Sequence, residues 1–341
     1  MGIICEVVLM HPVMSRRRFI TFVAAAAGLP LLLRVGGAQA RPVRWDGTAL
    51  GAPASIQLFH TDESQARAAI EAGLNELKRL ESIFSVYRAD SSISLLNRDG
   101  VLENAPNDFI AMLTHALALA KISGGVYDPT VQPLWKTYFR HFTATNPDPA
   151  GPSQQEIAAS LALVDWRGVE IDAGRSRVSF AHPGMGLTLN SGAQGYITDR
   201  VAEVLRSHGF DRMLVDMGEP RALSAKPDGS AWRIAIANPA HPGSAVTTLD
   251  VVDKCVSTSG GYGTLFDPAG AFTHLMNTRT GLTAPAMLGV SVVADTGTIA
   301  DGLSTAMLMA PVERRQAILK EAGGLKAIYV TPEGVVSTVE A

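Results

Sequence analysis

The chain has 341 residues, with 29 Lys+Arg against 32 Asp+Glu. Setting aside residues 1–40, which hold four arginines and one glutamate, leaves 25 basic and 31 acidic residues, a net charge of −6. That balance gives no electrostatic reason to expect nucleic acid or an anionic membrane as partner. Cys5 and Cys255 fall on either side of the same boundary, which excludes an intramolecular disulfide or a cysteine metal cluster in the remaining chain.

In chain order, the first forty residues read as an export address. Ser15-Arg16-Arg17-Arg18-Phe19-Ile20 sets paired arginines before the apolar run from Phe22 to Leu33, and Ala38-Gln39-Ala40 offers small residues for cleavage. So short a run ending in a cleavage site is a poor membrane span. Three adjacent arginines would also be hard to bury in an internal helix. The expected organisation is a twin-arginine signal over 1–40, then one exported, periplasmic domain over 41–341, large enough to bury its own core.

Within that domain residues 54–60 predict a strand and Glu63–Phe84 a helix, with Ile70, Leu74, Leu77 and Phe84 near one face. Asn107 is the expected cap of a second helix ending at Gly124-Gly125, and the Pro-rich stretch Thr143–Ser153 is an expected surface loop. Short strands are predicted at Val169–Ile171, Val178–Phe180, Leu187–Leu189, Met213–Val215 and Trp232–Ala237, with a helix over Tyr196–His208 among them. Further strands follow at Val251–Ser257, Thr273–Met276 and Val290–Ala294. Helices over Thr298–Met309 and Val312–Ala322 precede a last strand at Ala327–Thr331. Strands and helices do not alternate strictly, so the pattern predicts an α+β fold with mixed or largely antiparallel sheets and flanking helices, not a doubly wound one.

No P-loop, dinucleotide fingerprint, HExxH or GxSxG motif is present. Chemistry must reside in scattered segments rich in Gly, Ser, Thr, Asp and His. Gly124-Gly125-Val126-Tyr127-Asp128-Pro129-Thr130 follows a helix; a glycine cap accounts for its glycines and leaves Tyr127 and Asp128 unassigned. Leu189-Asn190-Ser191-Gly192-Ala193-Gln194-Gly195-Tyr196 opens a helix with small residues, where exposed N–H groups favour a phosphate. Ser257–Gly263 reads equally as a polar site or a solvated turn, and His274 falls in an alternating stretch that leaves its side undecided. Asp301 and Thr305 are four apart on a helix, so carboxylate and hydroxyl share a face. They suit a hard cation such as Mg²⁺, while Asp301 or Thr298 could equally be a helix cap.

Taken in order, these segments resemble the ApbE family of FAD:protein FMN transferases over about Trp45 to the C-terminus. Leu50-Gly51-Ala52 is similar to the family's Met-Gly-Thr opening, and Ser85-Val86-Tyr87 with Ser91–Asn97 to its S-x-Y…S-x-[IL]-S-x-L-N stretch. Val126–Val131 is similar to F-D-P-T-V, and Leu189–Asp199 to L-x-G-I-A-[KQ]-G-Y-x-x-D. Asp216-Met217-Gly218-Glu219, Ser259–Tyr262, His274–Gly281 and Ala300–Thr305 follow in family order. Leu-Gly-Ala lacks the opening threonine, Thr273-His274 replaces paired histidines, and Asn277-Thr278 replaces Asp-Pro. Asn190 and Gln194 stand where glycine and lysine are common.

The resemblance implies an FAD site at Leu50, Tyr87, Val126, Tyr127, Asp128, Asn190, Tyr196 and His274. It implies Mg²⁺ ligands at the Ala193 carbonyl, Asp301 and the Thr305 hydroxyl. The implied reaction attaches FMN from FAD to a Thr or Ser of a partner carrying an FMN-binding domain, such as the periplasmic part of a membrane electron-transfer complex, and releases AMP. A general base is wanted for such a hydroxyl; His274 and Asp128 are the candidates. A Mg²⁺-dependent FAD pyrophosphatase and a non-catalytic flavin-binding or delivery protein are the alternatives.

Overall fold

The computed structural model describes residues 40–341 apart from 240, 242, 285–288 and 332. The signal-peptide reading therefore lies outside the described residues, except for Ala40. β1 (Arg41–Ala49) and β2 (Ala52–His60) form an antiparallel hairpin. Its turn residues Leu50 and Gly51 both adopt positive φ, 46° and 80°, the combination whose twist matches a hairpin. β1 is illegible in sequence because it is an edge strand, mostly exposed, without clean alternation. α1 (Glu63–Phe84) has the predicted bounds, and Asp62 caps it by accepting from the Ser64 and Gln65 N–H groups.

The chain continues through α2 (Ser92–Asp99), β3 (Val101–Leu102), α3 (Asn107–Ile122), α4 (Gln132–Thr143), α5 (Gln154–Leu161), β4 (Val169–Asp172) and β5 (Arg177–Phe180). Then come α6 (Ala193–Ser207), β6 (Met213–Asp216), β7 (Pro220–Leu223), β8 (Trp232–Ala237), β9 (Ala245–Val251) and β10 (Lys254–Gly260). The last elements are β11 (Gly289–Ala294), α7 (Gly297–Met309), α8 (Arg315–Glu321), β12 (Gly324–Val330) and β13 (Val336–Glu340).

The expected α+β architecture is present. An eight-stranded sheet runs β1-β2-β6-β7-β10-β11-β12-β13, with every pairing antiparallel. Alternation along β12 sends Ala327 and Tyr329 into the main core and Ile328 and Val330 into a second one on the other face. The β8–β9 hairpin covers that second face with Trp232, Ile234 and Ile236. Helices α1, α6, α7 and α8 cover the first face, α7 against β10 and β11, with α6 between α1 and α7, while α4 and α5 pack on each other in a separate cluster. Among the described residues no helix is long and apolar enough to cross a membrane.

Four local expectations are corrected. Leu187–Leu189 is not a strand: the Asn97 side chain brackets both the N–H and the carbonyl of Leu187, and the Thr188 N–H donates to the Pro129 carbonyl, so those polar groups are satisfied without a sheet. Thr273–Met276 joins only the isolated bridges Leu265–Thr273 and Met276–Thr283. The predicted strand Val251–Ser257 divides between β9 and β10 at Asp253, whose φ is 52°. Asn107 is the first helical residue of α3; Pro106 holds the cap position, with no side-chain bond.

Candidate functional site

The site forms where α6 crosses α7. A Cβ on Gly195 would lie 2.1 Å from the Gly297 carbonyl oxygen and 2.8 Å from the Asp301 Cβ. Only glycine lets these backbones meet so closely. At the crossing the Gly195 N–H donates to Asp301 Oδ2 at 2.9 Å. The start of α7 is held by a different carboxylate: Asp199 accepts from the Gly297 and Thr298 N–H groups (2.7 and 2.8 Å) and pairs with Arg221 at 2.6 Å. Asp301 is therefore not the cap of its helix.

Thr305, one turn on, presents its hydroxyl beside Ser259 Oγ on β10 at 2.8 Å. Ser259 also meets Ser304 at 2.7 Å, and the Ser304 hydroxyl donates to the Asp301 carbonyl. Glu219, in the turn between β6 and β7, accepts at Oε2 from the Thr258 N–H at 3.2 Å. Asp301 and Glu219 are both buried, and among the described residues neither has a Lys, Arg or His partner within ion-pair distance. Burial, with the charge of Asp199 adding, pushes the Asp301 carboxyl up to about 7. Burial, with the charge of Asp301 adding, holds Glu219 well above the usual carboxylate range. Asp216 is raised to about 6 by burial, although the Gly218 N–H donates to it.

The predicted residues separate into three groups. Tyr127, Ala193, Asp301 and Thr305 gather at the crossing: the Ser191 hydroxyl donates to the buried Tyr127 oxygen at 3.3 Å, and burial followed by the charges of Asp301 and Asp128 raises that phenol. Asn190 is exposed at the same turn and Val126 is buried beside Tyr127. Leu50, Tyr87 and Tyr196 collect instead around the C-terminal end of α1. The strained Leu50 N–H donates to Glu81 Oε1 at 2.8 Å, Tyr87 is 70 % exposed just beyond the helix, and the Tyr196 ring packs edge-on to Phe84. The two groups adjoin, because Gly195 and Tyr196 are consecutive.

His274 forms the third group. Its Nδ1 lies 3.1 Å from both the N–H and the carbonyl of Thr264, and its ring fills the space a Cβ on Gly263 would need. Gly263 ends the turn that follows β10, the strand supplying Ser259. Asp128 is engaged at both oxygens: Oδ1 accepts from the Thr130 N–H and hydroxyl, Oδ2 from the Trp166 N–H. That geometry fixes the segment carrying Tyr127.

Sequence reasoning passed over Glu219, Ser259, Ser304 and the Asp199 clamp as parts of one site. The signal for Glu219 was its place in the Asp216-Met217-Gly218-Glu219 segment, which does not reveal its burial against Thr258 of β10 and Thr198 of α6. Among the described residues no three His, Cys, Asp or Glu side chains group to hold a metal. Hydroxyl and carbonyl oxygens would have to complete any cation shell here. Asp301, Thr305 and Glu219 are hard oxygen donors, and among the described residues neither carboxylate is ion-paired, which fits Mg²⁺. The opposite face of α7, Ile299 and Leu303, lines a mostly apolar cavity of about 200 Å³ that holds none of this chemistry.

Comparison with known proteins follows the same lines. The model of the ApbE family matches residues 50–329. The FAD:protein FMN transferase of Treponema pallidum is 29% identical over 294 residues, covering 79% of each protein. That of Klebsiella pneumoniae is 26% identical over 302 residues, covering 85% of this chain and 84% of its own. The apo form of the Pseudomonas stutzeri flavinyl transferase ApbE superposes with a TM-score of 0.73 at 28% identity, covering 88% of this chain and 95% of that one. The Thermotoga maritima ApbE protein, at 24% identity, shares the fold with a TM-score of 0.77, covering 88% and 97%.

Proposed function

The chain belongs to the ApbE family, and on that premise we propose that it is a Mg²⁺-dependent FAD:protein FMN transferase. The acceptor is a threonine or serine of a partner flavoprotein. Its hydroxyl oxygen forms a bond to the FMN-side phosphorus of FAD, the bridging phosphoanhydride bond breaks, and AMP leaves with that bond's electrons. The observation that carries the reading is the Asp301–Thr305 pair, set in polar surroundings beside the Tyr127 segment and the glycine-bearing start of α6.

Asp301, Thr305 and the Ala193 carbonyl are the residues that would hold the cation. When bound, Mg²⁺ neutralises diphosphate charge and stabilises the leaving oxygen. Small residues at 190–195 let backbone approach the phosphates at the opening of α6. Tyr87, exposed beyond α1, offers an aromatic face to the flavin or adenine, while the buried Tyr127 backs the site from beneath. His274 takes the proton of the acceptor hydroxyl, with the Thr264 backbone orienting its ring through Nδ1. Asp128 holds the Tyr127 segment in place.

The twin-arginine motif supports a periplasmic setting, and the periplasmic part of a membrane electron-transfer complex is the acceptor we favour. The test incubates purified protein with FAD, Mg²⁺ and an FMN-binding acceptor domain, and reads flavin fluorescence on the acceptor in a denaturing gel. A fluorescent band that EDTA abolishes is the expected result. AMP released equally without acceptor would identify a pyrophosphatase, and FAD bound without turnover would identify a carrier.

A further inference from the structure

Glu219 has no counterpart in the cation set that the Asp301–Thr305 pair suggests, yet it faces the same polar pocket. Three contacts place it there. Its Oε2 accepts from the Thr258 N–H. The residues flanking Thr258, Ser257 and Ser259, both meet Ser304 on α7, and Ser259 meets Thr305. On its other side the preceding residue, Gly218, packs so closely on Gln194 that a Cβ there would sit 2.2 Å from Gln194 Nε2. Gln194 adjoins Gly195, whose N–H holds Asp301. Glu219 thus sits between the two walls that carry the Asp301 carboxylate and the Thr305 hydroxyl.

The charge arrangement is unbalanced. Asp301 is 4% exposed and Glu219 8%, and among the described residues no basic side chain pairs with either. Arg221, largely shielded from solvent, is committed to Asp199 at 2.6 Å, and Asp199 in turn to the start of α7. Two buried carboxylates without a counter-ion are unfavourable, and buried charges are ordinarily paired or bound to a metal. Hydroxyls at Ser257, Ser259, Ser304 and Thr305 lie beside them, a hard-oxygen environment.

We infer that Glu219 is the second carboxylate of the divalent-cation site, so that this chain offers Asp301, Thr305 and Glu219 together to one Mg²⁺. The inference rests on the proposed cation site at Asp301. Two negative charges in place of one raise affinity for a divalent ion and make occupancy a condition of a relaxed pocket. The Glu219 backbone has a separate duty: its carbonyl accepts from the Thr198 hydroxyl on α6, so side-chain variants leave that anchor intact.

The test uses the full mature chain without FAD and titrates Mn²⁺ alone, by calorimetry and by electron paramagnetic resonance, with a thermal melt of metal-free and metal-loaded protein. Glu219→Gln keeps the size and the acceptor for the Thr258 N–H while removing the charge. The expected result is at least tenfold weaker Mn²⁺ binding, a smaller metal-induced rise in Tm, and a metal-free Tm equal to or above that of the parent. Glu219→Asp should bind within a few-fold of the parent. Unchanged Mn²⁺ affinity in Glu219→Gln overturns the inference, and so does a metal-free Tm below the parent's, which marks a purely structural role. Asp301→Asn separates the two readings. If it abolishes binding while Glu219→Gln does not, only the role of Glu219 falls. If the parent itself binds no Mn²⁺, the proposed cation site falls with it.

Discussion

Two clusters of carboxylates lie on the two sides of α6 and have opposite electrostatics. On the outer side Glu76 and Asp108 share Arg79, at 2.7 and 2.8 Å, and Arg200 stands beyond them at 3.6 and 3.8 Å. The bond from Arg79 lowers Glu76; at Asp108 burial pushes upward but the bonds from Arg79 and the Tyr196 hydroxyl outweigh it. On the inner side Asp301, Glu219 and Asp216 are all raised by burial. Consecutive residues face the two clusters, Gly195 the inner and Tyr196 the outer. The outer cluster carries its own counter-charge and joins three helices, α1, α3 and α6. The inner one is left short of positive charge, which is what a cation-dependent site requires before its ion arrives.

The largest break in that comparison is expected from Asp301→Asn. Transfer of FMN to an acceptor should fall on the order of 10²–10³-fold, the size seen when one group that stabilises developing charge is removed. Fold stability without metal should not fall, because the amide oxygen can still accept from the Gly195 N–H and a buried charge is gone. Rate measured at saturating FAD, with a denaturant melt beside it, checks both halves. Loss of stability together with loss of rate would make Asp301 a structural group like Asp199.

Next is Gly195→Ala. The added methyl meets the Gly297 carbonyl oxygen, which is backbone and cannot rotate away. Separation of α6 from α7 should cost about 1–3 kcal/mol and weaken cation binding, since the Gly195 N–H and Asp301 would part. A urea melt and Mn²⁺ titration of the same variant show whether the inner cluster depends on the crossing. Stability lost with affinity kept would detach the two.

Much of the scaffold of this comparison was legible in sequence, and the clusters themselves were not. α1 has clean helical spacing and an Asp62 cap, so its bounds follow from local signals. The Asp301–Thr305 pair was visible because i and i+4 on a helix share a face regardless of context. α2, α4 and α5 escaped because they are short and are fixed by capping and packing: Ser153 and Glu156 form a capping box, and α4 buries Leu134 and Tyr138 in an aromatic cluster with Phe266 and Phe272. Glu219 escaped for a different reason. Its burial comes from β10 and α6, about 20–40 residues away on either side in the chain, and no local pattern encodes such a meeting.

Arg79→Ala should disturb only the outer cluster. Arg79 is about half exposed, so solvent screens its pairs with Glu76 and Asp108, and the expected loss is about 1 kcal/mol. Mn²⁺ affinity should stay within a factor of two or so of the parent, since the inner cluster lies across α6. A loss above roughly 3 kcal/mol would mean that Glu76 and Asp108 are as starved of counter-charge as Asp301, and the contrast between the two sides would fail.

The smallest effect at any single pH, and the most direct probe of the contrast, is the pH dependence of stability without metal. Glu76 and Asp108 are lowered from 4.5 and 3.8, so their contribution is present above those values and is lost as pH falls through the depressed folded ones. Asp216 and Asp301 are raised from 3.8 to about 6 and about 7. The folded protein then binds more protons than the unfolded chain between those limits, and stability declines as pH rises through that window. A metal-free melt series should therefore pass a maximum near the lower end of the window and fall gently toward pH 7. Saturating Mg²⁺ should flatten the part of the fall due to Asp301, because the ion binds its ionised form, and should leave the acid limb set by the outer cluster where it was. A fall that persists unchanged with Mg²⁺ would show that the inner acids do not face the ion.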